Sequence, residues 1–322
     1  MTLLDLERVR KQIFSNYKLY QLEAIGVGLF VAGSVILGLY IGDEGFYNEN
    51  RYLARIIFFF LFIFIFFMTY KATIKVIITK KSTKFKKQFK EFYLVDYFKE
   101  LGFNYNMNSH MDAVDMIRSE LFLSFDTQRG NDQIKGYKNG VLFSFSDIVL
   151  YDIEEEEQDF FDYVMDKFSK NSSDKKNYVK LFEGLFFMAD FNKTITSKTF
   201  VMQNGTPRIM SGLSVINMDN PLFNTKFKIY SDDIQNAMYI LSPALMERIN
   251  SLSLIIKSPI NISFIGNKIY ISINVGKDSF EPDVTQSLVT KNPIHTIKRQ
   301  LEAVLGIVEV LALDSNLWAK VR

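Results

Sequence analysis

Hydrophobic positions along this chain fall into three regimes. Residues 24–41, AIGVGLFVAGSVILGLYI, and 52–70, YLARIIFFFLFIFIFFMTY, are continuous apolar runs, the first without charge and the second with only Arg55 near its start. Each approaches the roughly 20 residues that span a bilayer core. The pair predicts a transmembrane helical hairpin joined by a short external loop over 42–51, behind an N-terminal cytoplasmic segment, 1–23. Over 82–99 the pattern changes to Phe85, Phe89, Phe92 and Phe98 with lysines between them, a helical stripe rather than an alternation. It predicts a basic amphipathic stalk, 71–104, that either continues the second helix or bends along the membrane surface.

Beyond residue 105 the apolar stretches become short. Val114, Ile117 and Leu121 predict a helix within 112–123, and a sheet follows. Residues 133–137 and 141–145 flank Lys138-Asn139-Gly140, where Asn-Gly supplies the positive backbone angles of a tight hairpin turn. Further strands are predicted at 148–153, 178–191 and 198–203, and a second hairpin at 261–265 and 268–274 around Gly266-Asn267. Two helices lie between these sets, and a last one spans 293–313 with Ile297, Leu301, Val304, Leu305, Val308 and Leu311 as its apolar stripe. Trp318 is expected to pack on that helix or on the sheet. Hairpins with helices grouped after them indicate an α+β cytosolic domain, 105–322, rather than a doubly wound parallel sheet. An acidic insertion, 154–177, with four consecutive glutamates reads as a solvated excursion; nothing in such a run fixes the geometry a cation needs.

Charge orients the hairpin. Lys71, Lys75, Lys80, Lys81, Lys84, Lys86, Lys87 and Lys90 follow the second apolar run, and Arg8, Arg10, Lys11 and Lys18 precede the first, whereas the connection carries Asp43, Glu44 and Glu49. The positive-inside rule then places both termini in the cytoplasm. Topology alone accounts for the lysines, but Lys80, Lys81, Lys84, Lys86, Lys87 and Lys90 are also candidate contacts for anionic lipid headgroups. Small residues form two ridges on the first helix, Ala24, Gly28 and Ala32 on one and Ser34, Gly38 and Gly42 on the other. One ridge suffices for packing on the second helix, which leaves the other for a homo-oligomer.

Chemistry is constrained mostly by absence. The chain has no cysteine, which excludes disulfides, thiolate metal sites, iron–sulfur ligation and thiol catalysis. Neither GxxxxGK nor GxGxxG occurs, and His110 and His295 lie in no nucleophile context such as GxSxG. No His and carboxylate cluster has metal-ligand spacing, so no cofactor is expected, and the concentrated basic charge beside the predicted span argues against nucleic acid. Asp190, ending an apolar strand, and the adjacent Asp232 and Asp233 remain as candidate catalytic carboxylates. Adjacent helical residues diverge by about 100° around the axis, and Ser231 followed by two acids has the grammar of a helix start, with Ser231 as N-cap. Ser242-Pro243 repeats that grammar for the next helix.

Three stretches carry a family resemblance: LFEGLFFMADFNK from Leu181, MDNPLFNTKFKIYSDDIQNAMYILSPALMERI from Met218, and ISFIGNKIYISINVGKDSFEP from Ile262. Together with IKGYKNGVLFSFSDI and the two apolar runs, they resemble the bacterial DUF3137 family over nearly the whole chain. That family has no established activity, so the resemblance implies no catalytic residues. It implies a bacterial inner-membrane protein, and the frequent neighbourhood of LemA-type membrane proteins suggests a partner in a membrane assembly. The expectation is therefore a membrane-anchored cytoplasmic binding or scaffold protein. The alternatives are a membrane-associated carboxylate- or metal-dependent hydrolase and an anionic-lipid sensor.

Overall fold

In the computed structural model, residues 3–42, 51–154, 177–190, 197–284, 286–290 and 293–318 are described. The chain divides into two compact units, 1–93 with 282–292, and 94–281 with 293–322.

The first unit is helical: α1 (Leu3–Ser15), α2 (Tyr17–Gly42) and α3 (Arg51–Phe89). Apolar windows in α2 and α3 have mean hydropathies of 2.2 and 2.4, yet only 17% and 6% of them are buried. Where the two helices meet, small residues set the approach. Ala24 and Ala32 are fully buried, and a Cβ added at Gly28 would lie 2.9 Å from the Phe66 ring. The predicted ridge of Ala24, Gly28 and Ala32 is thus the seam between α2 and α3. On the second ridge Gly38 has open space where a Cβ would stand, and the Ser34 hydroxyl donates to the Phe30 carbonyl at 2.8 Å. Gly42 closes α2, and its surroundings lie outside the described side chains.

Past Tyr70, α3 runs unbroken through the lysine-rich stretch, so the stalk continues the second apolar helix. A π-helical turn (Lys90–Leu94) then leads to α4 (Val95–Glu100). That turn corrects the predicted stripe. Phe85, Phe89 and Phe98 are buried, but Phe92 is exposed and Leu94 buried in its stead. A π turn takes an extra residue, which rotates the following side chains off the 3.6-residue phase.

The second unit is α+β, with nine described strands in one sheet, every neighbouring pair antiparallel. In chain order they are β1 (Asn104–Asn106), β2 (Thr127–Lys138), β3 (Val141–Glu154), β4 (Asn177–Asp190), β5 (Thr199–Met202), β6 (Ser214–Ile216), β7 (Lys228–Ser231), β8 (Ile260–Ile265) and β9 (Lys268–Asn274). Their spatial order is β1-β2-β3-β4-β9-β8-β5-β7-β6. Helices α5 (Ala113–Ser119), α6 (Pro221–Lys226), α7 (Ile234–Ile240), α8 (Pro243–Ile256) and α9 (Pro293–Trp318) complete the unit. Both hairpin turns are as predicted, with positive φ at Asn139 (52°) and Gly140 (81°), and at Gly266 (51°) and Asn267 (64°).

Residues predicted as two strands, 141–145 and 148–153, are one strand. Buried Ser144, Ser146 and Asp147 interrupt its apolar pattern, but each is held: Ser144 accepts from Gln133 at 3.5 Å, Ser146 from the Met111 amide at 3.2 Å and Asp147 from the Ser279 amide at 2.6 Å. Opposite them β2 bulges between Asn131 and Ile134, with Asp132 at φ 56°. One sheet face is packed by Met111, Met116, Ile148, Leu150, Phe186 and Tyr270. Phe143, Phe145 and Phe187 form a ring cluster on the other, joined by Phe103, Phe98 and Phe280. In α9, Leu301, Val304 and Leu305 are buried as predicted. The side chains of Ile297, Val308, Leu311 and Trp318, and the acidic insertion between Glu154 and Asn177, lie outside the described residues.

Candidate binding cleft

Four strands and one helix start converge on a cleft of about 200 Å³. Antiparallel register places Lys135 of β2, Ser144 of β3, Met188 of β4 and Tyr270 of β9 side by side on one sheet face. The first turn of α5 overhangs them with Asp112 and Asp115. Met111, Leu142, Phe143, Met188 and Ala189 line the apolar part, and Gln133 adds a polar wall.

Charge in the cleft is divided between paired and unpaired groups. Asp190 and Lys268 are direct register partners, and the lysine donates to the carboxylate at 2.8 Å. Gln133 reaches the Ser144 hydroxyl at 3.5 Å. Asp115 is half-buried and Lys135 exposed, and neither side chain has a hydrogen-bond or ion-pair partner among the described residues. Burial, and then the charge of Asp112, push the Asp115 carboxyl above the ordinary carboxylate range, while Lys268, Arg118 and Lys135 oppose the rise. Tyr270 is pushed up to about 12, first by burial and then by Asp115, so its phenol stays protonated.

The predicted site residues do not assemble. Asp190 lies in the cleft, but Asp232 and Asp233 stand at the end of β7, four strands from β4, which is roughly 19 Å at about 4.8 Å per strand. Both serve backbone. Asp232 accepts the Lys198 amide at 2.8 Å, and Asp233 accepts the Asn236 amide at 3.0 Å. Asp233, not Ser231, is therefore the N-cap of α7. Ser231 is still in β7, where its buried hydroxyl donates to the Lys198 carbonyl at 2.7 Å; the strand uses that hydroxyl, and the cap moves two residues on. Ser242 does cap α8 with Pro243 at the first position, accepting from Leu245 at 3.4 Å. An Asp233→Ala variant should lose about 1 kcal/mol, measured as a lowered thermal midpoint; an unchanged midpoint would remove the capping role.

Of the stalk lysines, Lys80, Lys81, Lys84 and Lys87 are exposed, Lys86 is half-buried, and Lys87 approaches Glu91 at 3.6 Å. Lys90 is buried. Sequence reasoning missed Asp112, Asp115, Lys135 and Lys268. Asp112 and Asp115 look like ordinary acids at a helix start, and Lys268 like a hairpin charge. Only the pairing of β4 with β9 joins Lys268 to Asp190, 78 residues away.

No curated protein matches this chain. Among solved structures, the mycobacterial trehalose monomycolate transport factor A, TtfA, is similar at 10% identity and a TM-score of 0.33, covering 66% of this chain and 92% of that one. A family model does match, from β4 into α9, across all three of the stretches that prompted the resemblance. It spans residues 180–313 and is described as “Protein of unknown function (DUF3137)”; over that stretch the chain is similar to the family.

Proposed function

We propose that this is a membrane-anchored binding or scaffold protein of the bacterial inner membrane, with α2 and α3 crossing the bilayer and the cleft as its ligand site. The observation that carries this is the exposure of the two apolar helices: in their most apolar windows only 17% and 6% is buried. A core helix of similar hydropathy would be covered by protein, whereas lipid can cover these. Basic flanks on α1 and on α3 favour cytoplasmic termini, with the sheet unit on the same side. The open ridge at Ser34 and Gly38 suits a second copy or another membrane protein, LemA-type proteins being the class that the family resemblance suggests.

Direct lipid contact is best assigned near the span. For α3 standing upright, a rise of about 1.5 Å per residue puts Lys71 and Lys75 within roughly 8 Å of Tyr70, but Lys80 about 15 Å and Lys90 about 30 Å beyond it. Screening removes headgroup attraction beyond about 8 Å at physiological salt. Lys80 to Lys87 are then better placed to meet an acidic protein surface than the bilayer.

The test is fractionation followed by protease accessibility. The chain should stay in membranes after alkaline carbonate washing, and protease should digest the sheet unit in inside-out vesicles but not in intact spheroplasts. Release by carbonate would overturn the anchor, and digestion in spheroplasts would overturn the orientation.

A further inference from the structure

We infer that the cleft beside α5 takes a small zwitterion, its ammonium group at Asp112 and Asp115 and its anionic group at Lys135. This rests on the reading of the cleft as a binding site and adds the ligand class. Asp190 and Lys268 satisfy each other at 2.8 Å, which leaves two carboxyls on the helix side against one ammonium on β2. Lys135 is near enough to act on the Asp115 carboxyl, yet the two make no ion pair.

A half-buried carboxylate that no cation contacts directly is unfavourable, and Asp115 and Lys135 both line the cleft. A ligand that is only anionic would meet Asp112 and Asp115, and one that is only cationic would leave Lys135 as a repelling neighbour. A dipolar ligand matches both ends, with a short aliphatic part over Met188 and Leu142. The cleft, at about 200 Å³, has room for a group the size of an amino acid or an ethanolamine phosphate. The same chemistry has two sources, a free amino acid and a zwitterionic lipid headgroup.

The experiment uses the full chain in an uncharged detergent and calorimetric titration with glycine, β-alanine and O-phosphoethanolamine, against ethylamine and propionate as single-charge probes. A zwitterion should bind at least about tenfold more tightly than either single-charge probe, and Asp115→Asn and Lys135→Gln should each weaken it about tenfold, the usual effect of one charge-assisted hydrogen bond. Glu302→Gln, on α9 and outside the cleft, should change nothing. Thermal melts check that each variant is folded. Nanodiscs of phosphatidylethanolamine against phosphatidylcholine then separate the sources: competition by the former alone assigns the headgroup, and competition by neither assigns the free ligand. Ethylamine binding as well as the zwitterions, with loss in Asp115→Asn, would overturn the ligand class while keeping the cleft as a site. Binding by no probe would overturn both.

Discussion

Gly184→Val is expected to abolish folding of the sheet unit. Gly184 lies in β4 between Ile148 of β3 and Asn274 of β9. The chain leaving β9 crosses close above it, and the Gly276 amide donates to the Glu183 carbonyl at 2.8 Å. A Cβ at Gly184 would lie 2.1 Å from the Ile273 carbonyl oxygen and 2.7 Å from the Val275 nitrogen, both backbone atoms. Backbone held in a ladder cannot turn aside as a side chain can. Relief requires breaking the β4–β9 pairing, which joins the first four strands to the remaining five. We expect about 3 kcal/mol of destabilisation for Gly184→Ala and more than about 4 kcal/mol for valine. Gly136→Ala is the informative comparison: its Cβ would meet the Phe103 ring at 2.5 Å, and a ring can shift. That change should lose only about 1–2 kcal/mol, as the edge-on contact with Phe143 is disturbed. Thermal melts of the full chain in detergent decide it, and a Gly184→Ala midpoint equal to wild type would refute the close approach.

That crossing also illustrates what was legible in the sequence. Features encoded over a few neighbouring residues were readable: the two apolar runs, both Asn and Gly turns with their positive φ, and the Ser242-Pro243 cap. Features defined by a distant partner were not. The three- and four-residue strands β1, β6 and β7 gain their identity from the strands beside them, and β3 looked broken because Ser146 and Asp147 are satisfied by amides 35 and 132 residues away. Ser231 shows the competition within one stretch, since both a strand and a helix cap suit a serine there and the long-range bond to Lys198 decided it. The cleft was hidden for the same reason. Of its charged groups only Asp190 stood out, and its partner Lys268 comes from the far side of the sheet's central crossover. Nor does any local pattern associate 282–292 with the N-terminal helices.

A buried carboxylate ties that segment to α1, so its removal should have a large effect. Arg10 grips Glu7 through two nitrogens at 2.8 and 2.7 Å, the Ser287 hydroxyl donates at 3.0 Å and the Leu288 amide at 2.9 Å, while another Arg10 nitrogen reaches the Val284 carbonyl at 3.2 Å. Both side chains are nearly covered, at 5% and 11% exposure. Glu7→Ala would strand a buried guanidinium and an amide, at about 3–5 kcal/mol, seen as rapid hydrogen exchange in 286–290 and a lower melting midpoint. The Arg10 hydrogen bonds, helped by Leu288 and Ser287 against the opposing effect of burial, lower the Glu7 pKa from 4.5 to about 2. Because the folded value lies below the unfolded one, the clasp stabilises fully above pH 4.5 and weakens as pH falls from there through about 2. Exchange protection of Leu288 should decline across that window in the wild type. Glu7→Gln keeps the shape but cannot titrate, so its protection should be lower at neutral pH and nearly flat across the same window. Identical pH profiles for the two proteins would mean that Glu7 does not hold the segment.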